Sequence, residues 1–172
     1  MIRRSGGAAT GLLLALMLGC ASVPTTAPQA SGRLSLQVAA AEGQPARGFN
    51  ASFDLRGTAE AGELRLSTPL GPQIASARWS PGEVVLLAGQ GEQRFDSLAA
   101  LAQEALGEAL PLQALPDWLQ GRPWPGATAQ PRGDGFEQLG WVLDLSRRDQ
   151  GFITATRAQP PAVSLRIRLE TP

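Results

Sequence analysis

The amino-acid sequence predicts a mainly β domain of α+β class: one curved antiparallel sheet with a helical insertion across its open side. Three observations carry this expectation. From Arg33 onward, apolar residues recur mostly at every second position, the period of a strand with one buried face. The apolar runs are short and divided by turn residues such as Pro81-Gly82 and Gly89-Gln90-Gly91, as in antiparallel hairpins with one wet face. Only the stretch 96–121 abandons that period for helical spacing.

The strands follow in chain order. In "RLSLQV" (33–38), Leu34, Leu36 and Val38 share one face. In "RGFNASFDLRG" (47–57), Phe49, Ala51, Phe53 and Leu55 point one way, and Asn50, Ser52, Asp54 and Arg56 the other. "ELRLS" (63–67) buries Leu64 and Leu66, and "QIASARWS" (73–80) and "EVVLLAGQGEQRF" (83–95) continue the pattern with Trp79 among the apolar positions.

The run "LRLSTPLG" (64–71) ends in Thr68-Pro69-Leu70-Gly71, a type I turn pattern with Pro second and Gly fourth. Turn tips normally carry Asn, Asp, Ser or Gly, yet the third residue here is leucine. Leu70 shares the even phase of Leu64 and Leu66. Periodicity alone therefore leaves two readings open, a residue closing the end of the core and one exposed at the tip.

The segment 96–121 starts with Asp96 or Ser97 as a helix N-cap. Leu98, Leu101, Ala105 and Leu106 then recur at helical spacing, and Gly107 is the expected C-cap. Leu112, Leu115, Trp118 and Leu119 form a second short apolar face that Pro116 is expected to shorten or break. Strands return in "QLGWVLDLSR" (138–147), with Leu139, Trp141, Leu143 and Leu145 on one face and "GFITATR" (151–157) as hairpin partner. "AVSLRIRLE" (162–170) closes the pattern, Val163, Leu165, Ile167 and Leu169 alternating with polar residues.

The N-terminus is an export signal. "MIRRSGGAATGLLLALMLGC" has Arg3 and Arg4, an apolar run from Leu12 to Leu18 and a small residue before Cys20, the layout of a cleaved secretory peptide. "MLGC" resembles a lipobox, in which the signal is cut before the cysteine and its thiol is diacylated. Cys20 is the single cysteine of the chain, so no internal disulfide competes for it. Ala21 lacks the acidic character of an inner-membrane retention signal, which points to the outer membrane. The expected organisation is a signal at 1–19, a lipidated flexible tether at 20–32 and one domain at 33–172.

Composition removes several function classes. Without Arg3 and Arg4, 13 of the 15 basic residues remain against 15 acidic ones, a net charge of −2, and nucleic-acid binding finds no support there. No histidine is present, which excludes Cys/His metal sites and His-dependent triads. Neither a phosphate loop nor a dinucleotide fingerprint occurs. Glu104 and Glu108 are expected on a solvated helix face, not as an acid/base dyad. The chain reads as a non-enzyme without a cofactor.

"LRLSTPLG" after two alternating strands, then "LPLQALPDWLQGRP", then "GWVLDL" is similar in order and spacing to the LolB family of outer-membrane lipoprotein receptors. The resemblance covers roughly residues 32–170. Its most specific segment contains Leu110, Pro111, Leu112, Leu115, Trp118, Leu119 and Gly121, followed by the turn at 69–71. Two departures are legible: the tether is short, without the helix usual before the first strand, and Pro116 interrupts the helical motif.

The resemblance implies an unclosed antiparallel β-barrel, capped by helices, enclosing an apolar cavity. It implies a monomer that takes acylated lipoproteins from the periplasmic carrier LolA and inserts them into outer-membrane phospholipid without nucleotide hydrolysis. Such a task suits these residues, because each CH₂ of an acyl chain exposed to water costs about 0.8 kcal/mol. Candidate liners of the cavity are Leu36, Phe49, Phe53, Leu64, Leu66, Trp79, Leu112, Leu115, Trp118, Trp141 and Leu143. For Pro69, Leu70 and Gly71 the resemblance implies a protruding membrane-insertion loop with an exposed apolar tip. A structural scaffold lipoprotein of an outer-membrane assembly machine and a lipid-binding carrier are the alternatives.

Overall fold

The computed structural model describes residues 29–41, 43–89, 91–108 and 110–170. The signal, Cys20 and the tether up to residue 28 lie outside them. Among the described residues the first half of the chain forms β1 (Ala30–Val38), β2 (Arg47–Gly57), β3 (Gly62–Ser67), β4 (Gln73–Ser80), β5 (Glu83–Ala88) and β6 (Gly91–Phe95). After α1 (Leu98–Leu106) and α2 (Leu115–Trp118) come β7 (Ala129–Arg132), β8 (Gly135–Gln138), β9 (Trp141–Asp144), β10 (Phe152–Arg157) and β11 (Val163–Leu169). β1 starts inside the stretch assigned to the tether.

All eleven strands join one antiparallel sheet in the order β6-β5-β4-β3-β2-β1-β11-β10-β9-β8-β7. Two meanders are stitched together by β1, which pairs with β2 on one side and β11 on the other. The sheet stays unclosed, with β6 and β7 as its edges. Those two edge strands flank the helical insertion in the chain, so the topology itself carries the helices from one edge to the other, across the open side.

Alternation fixes the inner face. Leu36, Val38, Phe53, Leu55, Leu64, Ala77 and Trp79 from one meander meet Trp141, Leu143, Ile153, Ala155, Val163, Leu165 and Ile167 from the other in a single buried cluster. A one-residue slip in any of these strands would turn its apolar set outward.

Helix α1 begins where Ser97 accepts the Ala100 amide on its Oγ at 3.1 Å, and it ends at Gly107. Its buried face is Leu98, Leu101 and Ala102, with Leu106 half-buried. Ala105, expected on that face, is exposed. The segment Leu110–Leu119 departs further from the amphipathic expectation: nearly every residue of it is buried, including Pro111, Pro116 and Asp117. A helical stretch buried on nearly all sides belongs inside the protein, and here it is a plug seated within the curved sheet, its Asp117 accepting from Arg122 Nε at 2.6 Å. Pro116 does not interrupt α2 but stands in its first turn, where a missing N–H costs nothing.

Two further expectations are corrected. Leu139 does not share the buried face of Trp141 and Leu143; it is 43% exposed. Leu139 and Gly140 form the two-residue turn between β8 and β9, with φ of 53° and 77°, and a right-twisted hairpin of that length demands positive φ at both positions. Glu108 is not on a solvated helix face. It lies past the end of α1 and is 7% exposed.

Candidate functional site

The inner face of the sheet and the plug enclose a narrow apolar cavity of about 40 Å³. Every residue around it is apolar: Leu36, Phe49, Phe53, Leu64, Leu66, Leu112 and Leu115, with Leu34, Leu55, Leu106, Leu110, Leu119, Leu165 and Ile167. The first seven are residues that the sequence singled out. A wider apolar recess of about 260 Å³ opens beside it between β2–β5 and α1, with Ile74, Leu101 and Leu106 among its walls. Leu64, Leu66, Phe49, Leu106 and Leu112 border both spaces, so the recess is the mouth of the cavity.

Four candidate liners sit elsewhere. Trp79 is buried where its indole N–H donates to the Thr58 carbonyl at 2.9 Å. Trp118 and Trp141 pack against each other with ring centroids 6.3 Å apart and planes tilted by 55°. Leu143, 1% exposed, belongs to the same solid core. None of the four lines either apolar space.

Gln138 holds the plug in place and escaped the sequence reading. Its Oε1 accepts from Trp118 Nε1 at 2.8 Å and from the Trp124 amide at 3.0 Å. Its Nε2 donates to the carbonyls of Trp124 and Ala127, each at 2.7 Å. A side-chain amide offers two donors and two acceptor sites, and all are used. The residue is 1% exposed, so each bond replaces water that cannot reach it.

A buried carboxylate ties down the other end of the insertion. Arg157 donates from Nη2 to Glu108 Oε2 at 2.6 Å, and Arg47 donates from Nη2 to Oε1 at 3.1 Å and to the Gly107 carbonyl at 2.8 Å. Both arginines lie in the sheet row through Val38 and Val163. The row forms the rim of the sheet, and Glu108 fastens the C-terminal end of α1 to it.

The turn after β3 projects from the sheet. The Gly71 amide bonds the Thr68 carbonyl at 3.0 Å, and the Thr68 amide bonds the Pro72 carbonyl at 2.9 Å, so the base of the loop is closed twice. Gly71 has φ of 116°, a backbone state that side chains avoid. Leu70 stands at the tip with 94% of its surface exposed, which removes the core-closing alternative. Pro69, also exposed, faces a groove on the outer side of the sheet.

Titratable chemistry is sparse. The Ser146 hydroxyl and backbone amide, with Arg147 adding a smaller pull, hold the Asp144 carboxyl below its ordinary range. Hydrogen bonding to Thr58 does the same for the exposed Glu60. No group of three or more metal-ligating side chains is found among the described residues. The arrangement offers an apolar interior and presents an apolar tip.

Comparison with known proteins agrees with this architecture. A family profile described as outer membrane lipoprotein LolB matches residues 27–171. The chain is 35% identical over 175 residues to the outer-membrane lipoprotein LolB of Bordetella pertussis, spanning 92% of this chain and 87% of that protein. It is 33% identical over 160 residues to the LolB of Chromobacterium violaceum, covering 86% and 84% of the two chains. With its unclosed sheet, its inserted helices and a match over nearly its whole length, the chain belongs to the LolB family of outer-membrane lipoproteins.

Proposed function

We propose that this chain receives acylated lipoproteins from a LolA-type periplasmic carrier into its apolar interior and inserts them into outer-membrane phospholipid without nucleotide hydrolysis. Cys20 is the acylated anchor, the residues around the cavity and its mouth receive the acyl chains, and Pro69-Leu70-Gly71 is the loop that meets the bilayer. The protein acts as a monomer and not as an enzyme.

The observation that carries this reading is a cavity walled only by apolar side chains and covered by a separately anchored helical insertion. Binding pockets for drug-sized ligands run to roughly 300–1,000 Å³. A cavity of about 40 Å³ with a recess of about 260 Å³ must therefore widen to take acyl chains. Acyl chains enter by displacing α1 from the mouth, where Leu106 is only half-buried. A scaffold subunit has no use for such an interior.

The test loads a LolA-type carrier with an acylated lipoprotein, adds this protein without its own acyl anchor, and follows the cargo to the protein and then to liposomes. Stoichiometric transfer to the protein is expected. Absence of that first transfer would sink the receptor reading.

A further inference from the structure

The outer face of the sheet carries a groove of about 570 Å³ beside the Leu70 turn. Arg33, Arg147, Arg166 and Arg168 line it, Phe152 forms part of its floor, and Pro69 forms its wall on the turn side. Asp144 is the sole carboxylate bordering it among the described residues. Strand register explains the clustering: Arg33 of β1 is paired with Arg168 of β11, which is paired with Phe152 of β10. Arg166 occupies the next outward position of β11 and is paired with Ser35 and Thr154. Antiparallel pairing thus places cations from two neighbouring strands on the same outer face, although the chain as a whole carries no net positive charge.

These arginines differ from most others in the protein. Arg47, Arg65, Arg78, Arg94, Arg122, Arg132 and Arg157 each pair with a carboxylate within 4.0 Å. None of the four in the groove does so among the described residues, and all four are exposed. Two are nevertheless held in place: the guanidinium carbons of Arg147 and Arg168 lie 4.6 and 5.7 Å from the centroid of the Phe152 ring, within the range of cation–π attraction. Asp144 stands in the row of Arg166, two strands away through Thr154, and accepts from the Ser146 amide at 2.9 Å, while Asp54 and Glu170 lie one row further along from Arg33, away from the turn. Four guanidinium groups against one bordering carboxylate leave the groove positive in balance.

We propose that this groove seats the headgroups of anionic phospholipids, so that the domain lies on the bilayer by its convex face while Leu70 dips into the acyl region. The inference rests on the receptor reading above and adds the orientation and the lipid chemistry. One leucine side chain is a weaker anchor than a single acyl chain, which itself binds membranes only marginally. Durable contact takes an apolar insertion together with a basic patch. Guanidinium groups suit the second part, since their planar fork matches phosphate oxygens. The charge complementarity is to a surface that bears phosphates, and Leu70 stands next to it.

The test uses the chain from Cys20 to Pro172 with Cys20→Ser, so that no acyl anchor dominates, and sediments it with vesicles. Phosphatidylcholine vesicles are compared with vesicles containing about 30% phosphatidylglycerol, at about 0.1 M and about 1 M salt. Preferential binding to the anionic vesicles at low salt is expected, lost at high salt. Arg166→Glu with Arg168→Glu should weaken it about twentyfold or more, since each charge near an anionic surface changes partitioning about fivefold. Arg33→Gln with Arg147→Gln removes two charges without reversing any and should weaken it in the same direction, which covers a folding defect in the first pair. Arg78→Glu with Arg94→Glu, on β4 and β6, should leave it within about twofold.

Equal binding to both vesicle types, or groove variants that bind like the parent, would overturn the proposal. So would groove variants that keep vesicle binding but lose a LolA-type carrier, because the groove would then serve a protein. Cargo uptake from the carrier is measured in parallel. Normal uptake without anionic preference removes only the headgroup proposal, whereas absent uptake removes the receptor reading and this inference together.

Discussion

Arg157 donates to Glu108 across 2.6 Å, joining the end of β10 to the residue that follows the C-cap of α1. Because α1 lines the mouth of the cavity, loosening this pair is expected to affect more than local stability. The Glu108 side chain is 9% exposed and that of Arg157 14%, against 37% for Arg47. Glu108→Gln leaves Arg157 with a weaker partner in a nearly dry site, a loss of about 2–3 kcal/mol by the usual worth of hydrogen bonds to charged groups. Thermal unfolding should shift down accordingly. Fluorescence of an environment-sensitive apolar dye should rise at temperatures where the variant is still folded, as α1 loosens. A stable variant with unchanged dye binding would show that Glu108 does not restrain the insertion.

Gln138 restrains the opposite end. Gln138→Leu keeps the volume but leaves the Trp118 and Trp124 N–H groups and two carbonyls without their partners. Buried polar groups left unpaired cost about 1–3 kcal/mol each. A total loss of about 3 kcal/mol or more in denaturant unfolding is expected, with altered tryptophan fluorescence from Trp118. A change below about 0.5 kcal/mol, the range of neutral surface substitutions, would mean that water replaces the side chain.

Much of this fold was legible because strands alternate. Leu36, Phe53, Leu64 and Leu165 are inward in the structure for the reason the sequence supplies, period two with polar neighbours. Three features were not legible, each for a physical reason. β7 carries Pro131 and almost no apolar side chain, and an edge strand tolerates both. Glu108 looks like any surface carboxylate until Arg47 and Arg157, 61 and 49 residues away, are brought to it. Trp79, Trp141 and Leu143 share the inward phase of the residues that line the cavity, and alternation cannot tell a filled part of an interior from a hollow one. The outer arginines are visible in the sequence as wet-face residues, but their gathering across β1 and β11 follows only from strand order.

Leu106 offers the most direct test of the proposed acyl binding. It borders both the cavity and its mouth, is half-buried, and lies in the last turn of α1. A carboxylate at this half-buried position can still reach water, but a bound acyl chain would cover it and impose the cost of burying a charge. Leu106→Glu should therefore lower cargo uptake from the carrier at least tenfold (about 1.4 kcal/mol) while costing no more than about 2 kcal/mol of stability. Leu112→Ala, fully buried nearby, supplies the contrast. It enlarges the cavity at a stability cost of about 2–5 kcal/mol and should retain uptake. Equal uptake by Leu106→Glu and the parent would move the acyl path away from the recess.

A change at Leu70 tests whether acceptance of cargo can be separated from its release. With 94% of its surface exposed and its loop closed at the base by Thr68, the side chain contributes nothing to the core. Leu70→Glu should leave thermal stability within about 0.5 kcal/mol of the parent. It should also leave uptake from the carrier unchanged, since the cavity walls are intact. Insertion into liposomes should fall steeply, because the tip would carry a charge into the acyl region instead of an apolar group whose full burial is worth about 1.5–3 kcal/mol. Leu70→Trp, apolar and suited to the membrane interface, should restore insertion. The decisive comparison is uptake and delivery measured on the same variant: loss of uptake would place Leu70 in carrier docking, and normal delivery by Leu70→Glu would show that the loop plays no part in handing cargo to the membrane.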